Sequence, residues 1–359
     1  MKYVALILAG GGGTRLWPMS RQEKPKQMLP LVEQHSMFKV SVDRLAPLFT
    51  PDRIFISTAE KYVEGLQAEC PDIPAENFIA EPSARNNAAA VALAVTVIEK
   101  RYPDAVIAML TADHHIGKIE VFRDVLETAG LVAEQGKIVT LGISPAFPST
   151  GFGYIQQGEK QGERNGFSYF EANRFTEKPD IVRATQFVAS GQYSWNSGMF
   201  IWQAKTAMSE FERQQPEMYR LFKQLQPSVD SADYQTTLET MWENTPKISI
   251  DYAIMEGAEN MVVIPIDIGW SDVGTWSSLY DILEQDKFGN CGKDNNEKRI
   301  ILDTTETLIF SDKLTVAIGV DNIIVIETDD VLMVCHKDRA QDVKQIVAYL
   351  NENDMKDYL

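Results

Sequence analysis

Four consecutive glycines, Gly10, Gly11, Gly12 and Gly13, stand directly behind an apolar run at residues 4–9. Thr14 and Arg15 follow at once, and Arg21, Lys24 and Lys26 lie a little further on. Glycine lets the backbone turn tightly and brings its N–H groups close to a bound group. Guanidinium forks and ammonium groups neutralise phosphate oxygens. The chemistry such a stretch could do is the binding of a polyphosphate. Two familiar motifs are excluded. A P-loop needs a Gly-Lys pair, and none follows here. A dinucleotide fingerprint needs a third glycine where this chain has Arg15 or Leu16.

The charge balance sharpens that reading. The 359-residue chain carries 34 Lys+Arg against 51 Asp+Glu, a formal net charge of −17. So acidic a surface is a poor general binder of nucleic acid or of anionic membrane. Residues 1–40 invert the balance, with six basic side chains against two acidic ones. The 44% apolar fraction is that of a folded globular chain. No stretch approaches the roughly 20 apolar residues of a membrane span. The short run behind Met1-Lys2-Tyr3 reads as a buried strand, not as a signal peptide. Cys70, Cys291 and Cys335 have no C-x-x-C spacing, so free thiols in a cytoplasmic protein are expected, without disulfides or zinc.

Residues 4–9, 53–57, 105–111 and 137–143 read as buried strands, with amphipathic helical stretches at 88–100 and 121–134. That alternation predicts an α/β domain whose mostly parallel sheet is covered on both faces. Residues 205–260 read as more helical, with a helical stretch at 207–225 and a helix at 249–258 capped by Ser249. Behind Phe288-Gly289-Asn290 come short β-rich runs at 300–303, 307–310, 314–318, 323–327 and 331–336, which predict a small separate β domain. Val343, Ile346, Val347 and Leu350 share one helical face and predict a closing helix. The expected organisation is two domains, 1–285 and 286–359. Asp113 follows the strand at 105–110, at the C-terminal end where open α/β sheets bind ligands. His114 and His115, adjacent on an extended strand, point to opposite faces and are expected to be structural.

The glycine stretch from Leu8 to Pro18, with Lys24-Pro25-Lys26-Gln27 behind it, resembles the signature of sugar-1-phosphate nucleotidylyltransferases. Its Trp17-Pro18 and Lys-Pro-Lys-Gln look like the mannose-1-phosphate guanylyltransferase branch. The block from Glu81-Pro82 through Arg85-Asn86-Asn87 to Ala90 is similar to that branch's E-P-x-x-R-N-T-A-P-A. Ala112-Asp113-His114, Gly151-Phe152-Gly153-Tyr154, Phe175-Thr176-Glu177-Lys178-Pro179, Trp195-Asn196-Ser197-Gly198, Ser249-Ile250-Asp251-Tyr252 and Gly269-Trp270-Ser271-Asp272 follow in family order. The chain departs at Asn87 and Ala89, where the family usually has Thr and Pro, and at Thr111, where it usually has Pro. These positions bear on loop rigidity more than on charge.

The resemblance implies a Rossmann-like, GT-A-like nucleotidyltransferase domain and a short β-helix-like tail, and a chain that ends before any isomerase domain. It implies transfer of GMP from GTP to mannose 1-phosphate, giving GDP-mannose and pyrophosphate, and a homodimer. It places Leu8, Ala9, Gly10 to Gly13, Thr14, Arg15, Glu81, Arg85, Asn86 and Asp113 on the nucleotide. Lys26, Gly153, Glu177, Lys178 and Asn196 go to the sugar phosphate, and Asp113 and Asp272 to Mg²⁺. Arg15, Lys26 and Lys178 are the candidate catalytic cations. The alternatives are a nucleotidyltransferase for another hexose or heptose 1-phosphate and a non-catalytic nucleotide-sugar-binding regulatory subunit. Against the latter, Arg15, Asp113, Lys178 and Asp272 are all present.

Overall fold

Val4, Ala5, Leu6 and Ile7 are wholly buried, as a continuous apolar run must be when both faces of its sheet are covered. They form β1 (Tyr3–Leu8) in a computed structural model that describes residues 2–11, 13–293 and 298–359. The strands that follow are β2 (Ile54–Ala59), β3 (Phe78–Glu81), β4 (Val106–Thr111), β5 (His115–Ile116), β6 (Ile138–Ile143), β7 (Tyr154–Arg164), β8 (Phe167–Thr176), β9 (Tyr193–Gln203), β10 (Met261–Ile266) and β11 (Trp270–Ser271). The helices alongside are α1 (Met37–Asp43), α2 (Val63–Glu69), α3 (Asn87–Arg101), α4 (Ile119–Ala133), α5 (Ile181–Ser190), α6 (Ala204–Gln214), α7 (Pro216–Leu225), α8 (Tyr234–Trp242) and α9 (Ile250–Ala253). Met1, Gly12 and residues 294–297 lie outside the described residues.

The chain divides into two compact units. The first comprises Met1–Gly10, Val42–Ala112 and Ile116–Trp270; the second comprises Gly11–Ser41, Asp113–His115 and Ser271–Leu359. The first unit holds a sheet of order β3-β2-β1-β4-β9-β6-β10-β8-β7. β3, β2, β1 and β4 run parallel, as do β6 and β10, whereas β9 and β8 run against their neighbours. The sheet is therefore mixed and mostly parallel, as expected. The long strands β7, β8 and β9 and the shorter β10 are not among the strands read from the sequence. Of β8 only Phe175 is buried and most of the rest is half-buried, which erases the alternation that marks a half-buried strand. Where β6 meets β9 the register slips between Thr140 and Gly142. A Cβ at Gly142 would lie 2.6 Å from Val263 and 2.7 Å from Ser194, so the bulge admits only glycine without a shift.

Three helical expectations change in detail. α3 is buried all along Ala88 to Ile98, against α6, α7 and α9, so it is a core helix and not an amphipathic one. The stretch 207–225 breaks at Gln215 (φ −133°, ψ 60°), because the residue before a proline is driven out of the helical region and Pro216 opens α7. Ser249 does cap α9, its Oγ accepting from the Tyr252 N–H at 3.4 Å, but the helix expected at 249–258 ends at Ala253, and a 3-10 turn, Met255–Gly257, follows.

The second unit contains α10 (Trp276–Ile282), β12 (Cys291–Gly292), β13 (Arg299–Leu302), β14 (Leu308–Phe310), β15 (Thr315–Ile318), β16 (Ile323–Glu327), β17 (Leu332–His336) and α11 (Val343–Glu352). β12, β14 and β16 form one parallel ladder, closed by antiparallel β17; β13 and β15 form another. Successive strands alternate between the two ladders, which is the winding of a β-helix. Leu308, Phe310, Ile324 and Ile326 from these rungs bury one cluster with Leu16, Trp17, Leu29 and Leu31. The segment behind the glycines is thus built onto the same core as the tail. Of the face expected on α11, Val343 and Leu350 are buried and Ile346 is exposed.

Candidate active site

The end of β1 delivers the chain to the glycine turn. Ala9 N–H donates to Ser57 O at 2.8 Å, and the Thr58 hydroxyl donates to Ala9 O at 2.9 Å. Beyond this anchor Gly11 takes φ 99° and Gly13 φ 56°, both left-handed. A Cβ on Gly13 would stand 2.4 Å from the Lys26 Cβ, so this glycine is demanded by space as well as by conformation. Ser20 Oγ donates to Gly13 O at 2.6 Å and fixes the turn. Thr14, Arg15 and Leu16 form a 3-10 turn that leaves Arg15 exposed. Arg15 Nη1 reaches Gln341 only at 3.5 Å, a contact too long to hold it.

Lys26 is the organising cation of the second unit. It is 5% exposed. Its Nζ donates to Asp113 Oδ2 at 2.8 Å and to the Asp272 carbonyl. One ammonium therefore brings together two aspartates 159 positions apart, which spacing alone could not do. Burial pushes the Asp113 carboxyl up, but the charges of Lys26 and His114 outweigh it and hold the group below the usual carboxylate range. The Asp272 side chain is placed by its own turn. Its Oδ1 accepts from the Gly274 N–H at 3.1 Å, and Ser271 Oγ accepts from the Val273 N–H at 3.1 Å. Val273 holds φ 44°, which is rare for a β-branched residue, and it is wholly buried. Such strain persists only where packing dictates it, and it collects at functional turns.

A second polar cluster lies within the first unit. Lys178 takes φ 44° at the end of the Phe175–Lys178 block, and its Nζ donates to Glu177 Oε1 at 2.5 Å. The Glu177 side chain is 5% exposed, and its Oε2 has no hydrogen-bond partner among the described residues. Gly153 carries no side chain because a Cβ there would lie 2.5 Å from that same Oε2 and 3.2 Å from the Asn196 Cβ. Asn196 N–H donates to Gly153 O at 2.8 Å, and Asn196 Nδ2 donates to Asp251 Oδ1 at 3.0 Å. Asp251 is not among the site residues expected from the sequence, although its block belongs to the family pattern. Burial first, then the charge of Glu177, push its carboxyl up to about 6. Burial would lower the Lys178 ammonium, but Glu177 and then Asp251 hold it above its ordinary range. Trp195 and Phe152 pack edge to face at 5.0 Å, and Phe152 meets Trp270 at 5.4 Å, so these tryptophans build an aromatic wall.

A Lys–Asp pair with a buried ammonium behind a glycine turn, and a Glu–Lys–Asn–Asp cluster drawn from the end of β8, from β9 and from α9, invite comparison with known proteins. The nucleotidyl transferase family model matches residues 4–288. The chain belongs to the nucleotidyl transferase family. A second model, the MannoseP isomerase/GMP-like beta-helix domain, matches residues 297–350 of this nucleotidyl transferase. Xanthan biosynthesis protein XanB of Xanthomonas campestris is 38% identical, over 96% of this chain and 72% of its own. Mannose-1-phosphate guanylyltransferase RfbM of Salmonella typhimurium is 38% identical, over 100% of this chain and 74% of its own. A crystal structure from Thermus thermophilus, described as a mannose-1-phosphate geranyltransferase, superposes with a TM-score of 0.87 at 33% identity, covering 98% of this chain and 100% of that one. Nucleotidyl transferases of this family generally use a divalent metal. Among the described residues no group of three or more His, Cys, Asp or Glu side chains gathers to hold one. No helix among them is long and apolar enough to cross a membrane.

The remaining nucleotidyl transferase block, at Glu81 to Asn86, joins β3 to α3. Asn86 (φ 65°) caps the helix, its Oδ1 accepting from the Asn87 N–H at 2.8 Å. Asn87 Oδ1 accepts from the Ile250 N–H at 2.8 Å and so ties the block to α9. Arg85 Nε is buried without a hydrogen-bond partner among the described residues. Ser57 Oγ donates to Glu81 Oε1 at 3.3 Å, yet burial pushes the carboxyl from 4.5 up to about 7. A carboxyl raised on folding contributes stability that is full below the unfolded value and is lost as pH rises through the folded one. The unliganded protein should therefore lose about 1–3 kcal/mol from this group between pH 4.5 and 7, and Glu81→Gln should lose none of it. Urea unfolding at several pH values checks this. A Glu81→Gln protein as pH-sensitive in that window as the wild type would refute it.

Proposed function

We propose that this nucleotidyl transferase moves GMP from GTP to α-D-mannose 1-phosphate, giving GDP-mannose and pyrophosphate. The observation that carries this reading is the 38% identity to the Salmonella mannose-1-phosphate guanylyltransferase along 100% of this chain. A phosphate oxygen of mannose 1-phosphate attacks the α-phosphorus of GTP. The bond from that phosphorus to the bridging oxygen breaks in line, and pyrophosphate leaves with the electron pair. The attacking phosphate is already largely ionised at about pH 7, so no general base is needed. The protein's task is positioning and charge neutralisation.

The glycine turn (Gly10 to Gly13, with Leu8, Ala9 and Thr14) takes the triphosphate in this reading, and Arg15 takes its β- and γ-phosphates. Lys26 has three N–H donors, of which Asp113 and the Asp272 carbonyl engage two. The third is available to a phosphate oxygen. Asp113 and Asp272 hold Mg²⁺. Two carboxylates fit that ion, which is commonly held by one or two carboxylates and completed by substrate phosphates and water. The ion supplies further neutralisation of phosphate charge. Lys178 takes the phosphate of the sugar, and Glu177, Asn196 and the Gly153 backbone take its hydroxyls. The unsatisfied Glu177 Oε2 supports this, since a hydroxyl donor would complete it. Glu81, Arg85 and Asn86 line the nucleotide side. Guanine offers two adjacent N–H donors that a buried carboxyl can accept.

The same reading keeps the domain boundary at 285/286, a cytoplasmic enzyme whose three cysteines are thiols outside disulfides, and a homodimer. Ile300, Leu302, Val316 and Ile318 are all more than half exposed and offer a second copy an apolar face. The test is pyrophosphate release from GTP and mannose 1-phosphate with Mg²⁺, beside a panel of other nucleotides and sugar phosphates. Turnover with the named pair is expected. Inactivity, or a clear preference for a glucose or heptose phosphate, would overturn the proposal.

A further inference from the structure

Asn196 has been assigned a sugar hydroxyl above, but a primary amide can present either its N–H or its carbonyl. In this fold the choice is fixed. The Gly198 N–H can only donate, and it donates to Asn196 Oδ1 at 2.9 Å. That places Nδ2 on the opposite side, where Asp251 Oδ1 accepts from it at 3.0 Å. A carboxylate oxygen at that point rejects the flipped amide, which would set two acceptors against each other. The amide is thereby locked with one N–H engaged and the other left over.

Asp251 is itself held firmly. Ser249 caps its helix, and the Ile250 N–H is tied to Asn87 Oδ1. Its charge also reaches Lys178 and Glu177, the two residues read above as meeting the sugar phosphate and the sugar hydroxyls. Glu177 is an acceptor, with one oxygen buried and unpartnered among the described residues. A donor from Asn196 beside an acceptor from Glu177 complements a vicinal pair of hydroxyls, each of which both accepts and donates.

We propose that Asp251 is a positioning residue for the sugar 1-phosphate, clamping Asn196 so that this residue offers a hydrogen-bond donor to the sugar while Glu177 offers the acceptor. The inference rests on the functional reading above. It assigns Asp251 no contact with the reacting phosphates. Its loss is therefore felt in sugar binding and not in nucleotide binding.

Asp251→Ala and Asp251→Asn separate this role from a merely structural one. In Asp251→Ala the Asn196 amide is free to turn, and KM for mannose 1-phosphate should rise about tenfold while KM for GTP stays within about twofold. In Asp251→Asn the new side-chain carbonyl can still accept from Asn196 Nδ2, so most of that rise should be recovered. A sugar-phosphate KM that stays within twofold of wild type in Asp251→Ala overturns the inference. So does an equal rise in both KM values, or an Asp251→Asn protein no better than Asp251→Ala. Should Asp251→Ala fail to fold, Asp251→Asn alone decides: a KM near wild type for both substrates supports the clamp, and a raised GTP KM refutes it. Wild-type protein in the same assay tells the two levels apart. Wild-type inactivity overturns the guanylyltransferase reading and this inference with it, whereas wild-type turnover with an unmoved Asp251→Ala overturns the inference alone.

Discussion

Asp272→Asn is expected to cut turnover by about 10³-fold or more while leaving the unfolding transition nearly in place. The reason begins with what each aspartate does in the unliganded fold. Asp272 engages Lys26 through its main-chain carbonyl, which a substitution keeps, and its side chain only caps the Gly274 N–H. Asparagine can make the same cap, so the fold loses little. The substitution removes a negative charge from the proposed Mg²⁺ site. A site that holds the ion less well loses positive charge on the phosphates, and a cation that stabilises the charge of a phosphoryl-transfer site is worth about 10³–10⁵ in rate. Asp113→Ala should be as inactive but less stable. It leaves the buried Lys26 ammonium without its carboxylate, and breaking a fully buried pair costs about 3–5 kcal/mol. The Asp113 side chain is 33% exposed, so about 1–3 kcal/mol is the expected cost here. Initial rates and denaturant midpoints for both variants check the pair of claims. A near-normal rate in Asp272→Asn would remove this residue from the metal site, and equal stability losses would show that Lys26 does not depend on Asp113.

That difference between two aspartates is not legible in the sequence. The place of Asp113 at a strand end is legible, because β4 is a plain buried run with a single orientation open to it. The glycines announce a close backbone approach, and the Cβ clash of Gly13 with Lys26 gives the reason. A sequence, however, does not say what Lys26 touches. Its engagement of Asp113 and the Asp272 carbonyl depends on residues from three separated segments assembling as one unit. The same holds for the tail. Its rungs are legible as short runs with turn residues between them, but nothing in their spacing says that Trp17 and Leu29 share their core.

The long strands escape the sequence for a different reason. β7 and β8 carry Gln, Glu, Lys and Arg on exposed positions and break register several times, so neither a buried run nor a clean alternation survives. Asp251 escapes because a carboxylate in the first turn of a short helix is usually a solvated cap. Its neighbours Asn196, Glu177 and Lys178 come from distant blocks, and only the fold sets an unpartnered glutamate oxygen next to Gly153. The signal that points to Asp251 is its place inside a block that belongs, with the blocks of Asn196 and Lys178, to one family pattern.

Lys178→Ala should raise KM for mannose 1-phosphate by about 10- to 100-fold and leave KM for GTP within about twofold. The magnitude is that of one charge-assisted hydrogen bond, about 1.5–3 kcal/mol. Two mechanisms could produce such a rise, and they must be separated. In one, Lys178 acts directly, its ammonium leaving Glu177 for the substrate phosphate. In the other, its absence strands the buried Glu177 carboxylate, which then repels a dianionic substrate. The double variant Glu177→Gln with Lys178→Ala decides, since it removes that carboxylate charge while the lysine stays absent. Direct contact predicts that the double variant binds mannose 1-phosphate no better than Lys178→Ala. Repulsion predicts that it regains most of the loss. The exposure of the two side chains favours the first outcome: Lys178 is 57% exposed and free to swing, whereas Glu177 is 5% exposed and held by its backbone N–H to Glu256 Oε1 at 3.1 Å. A Lys178→Ala protein whose rate responds to mannose 1-phosphate as the wild type does would end the assignment, and the sugar phosphate would then need another cation in this chain.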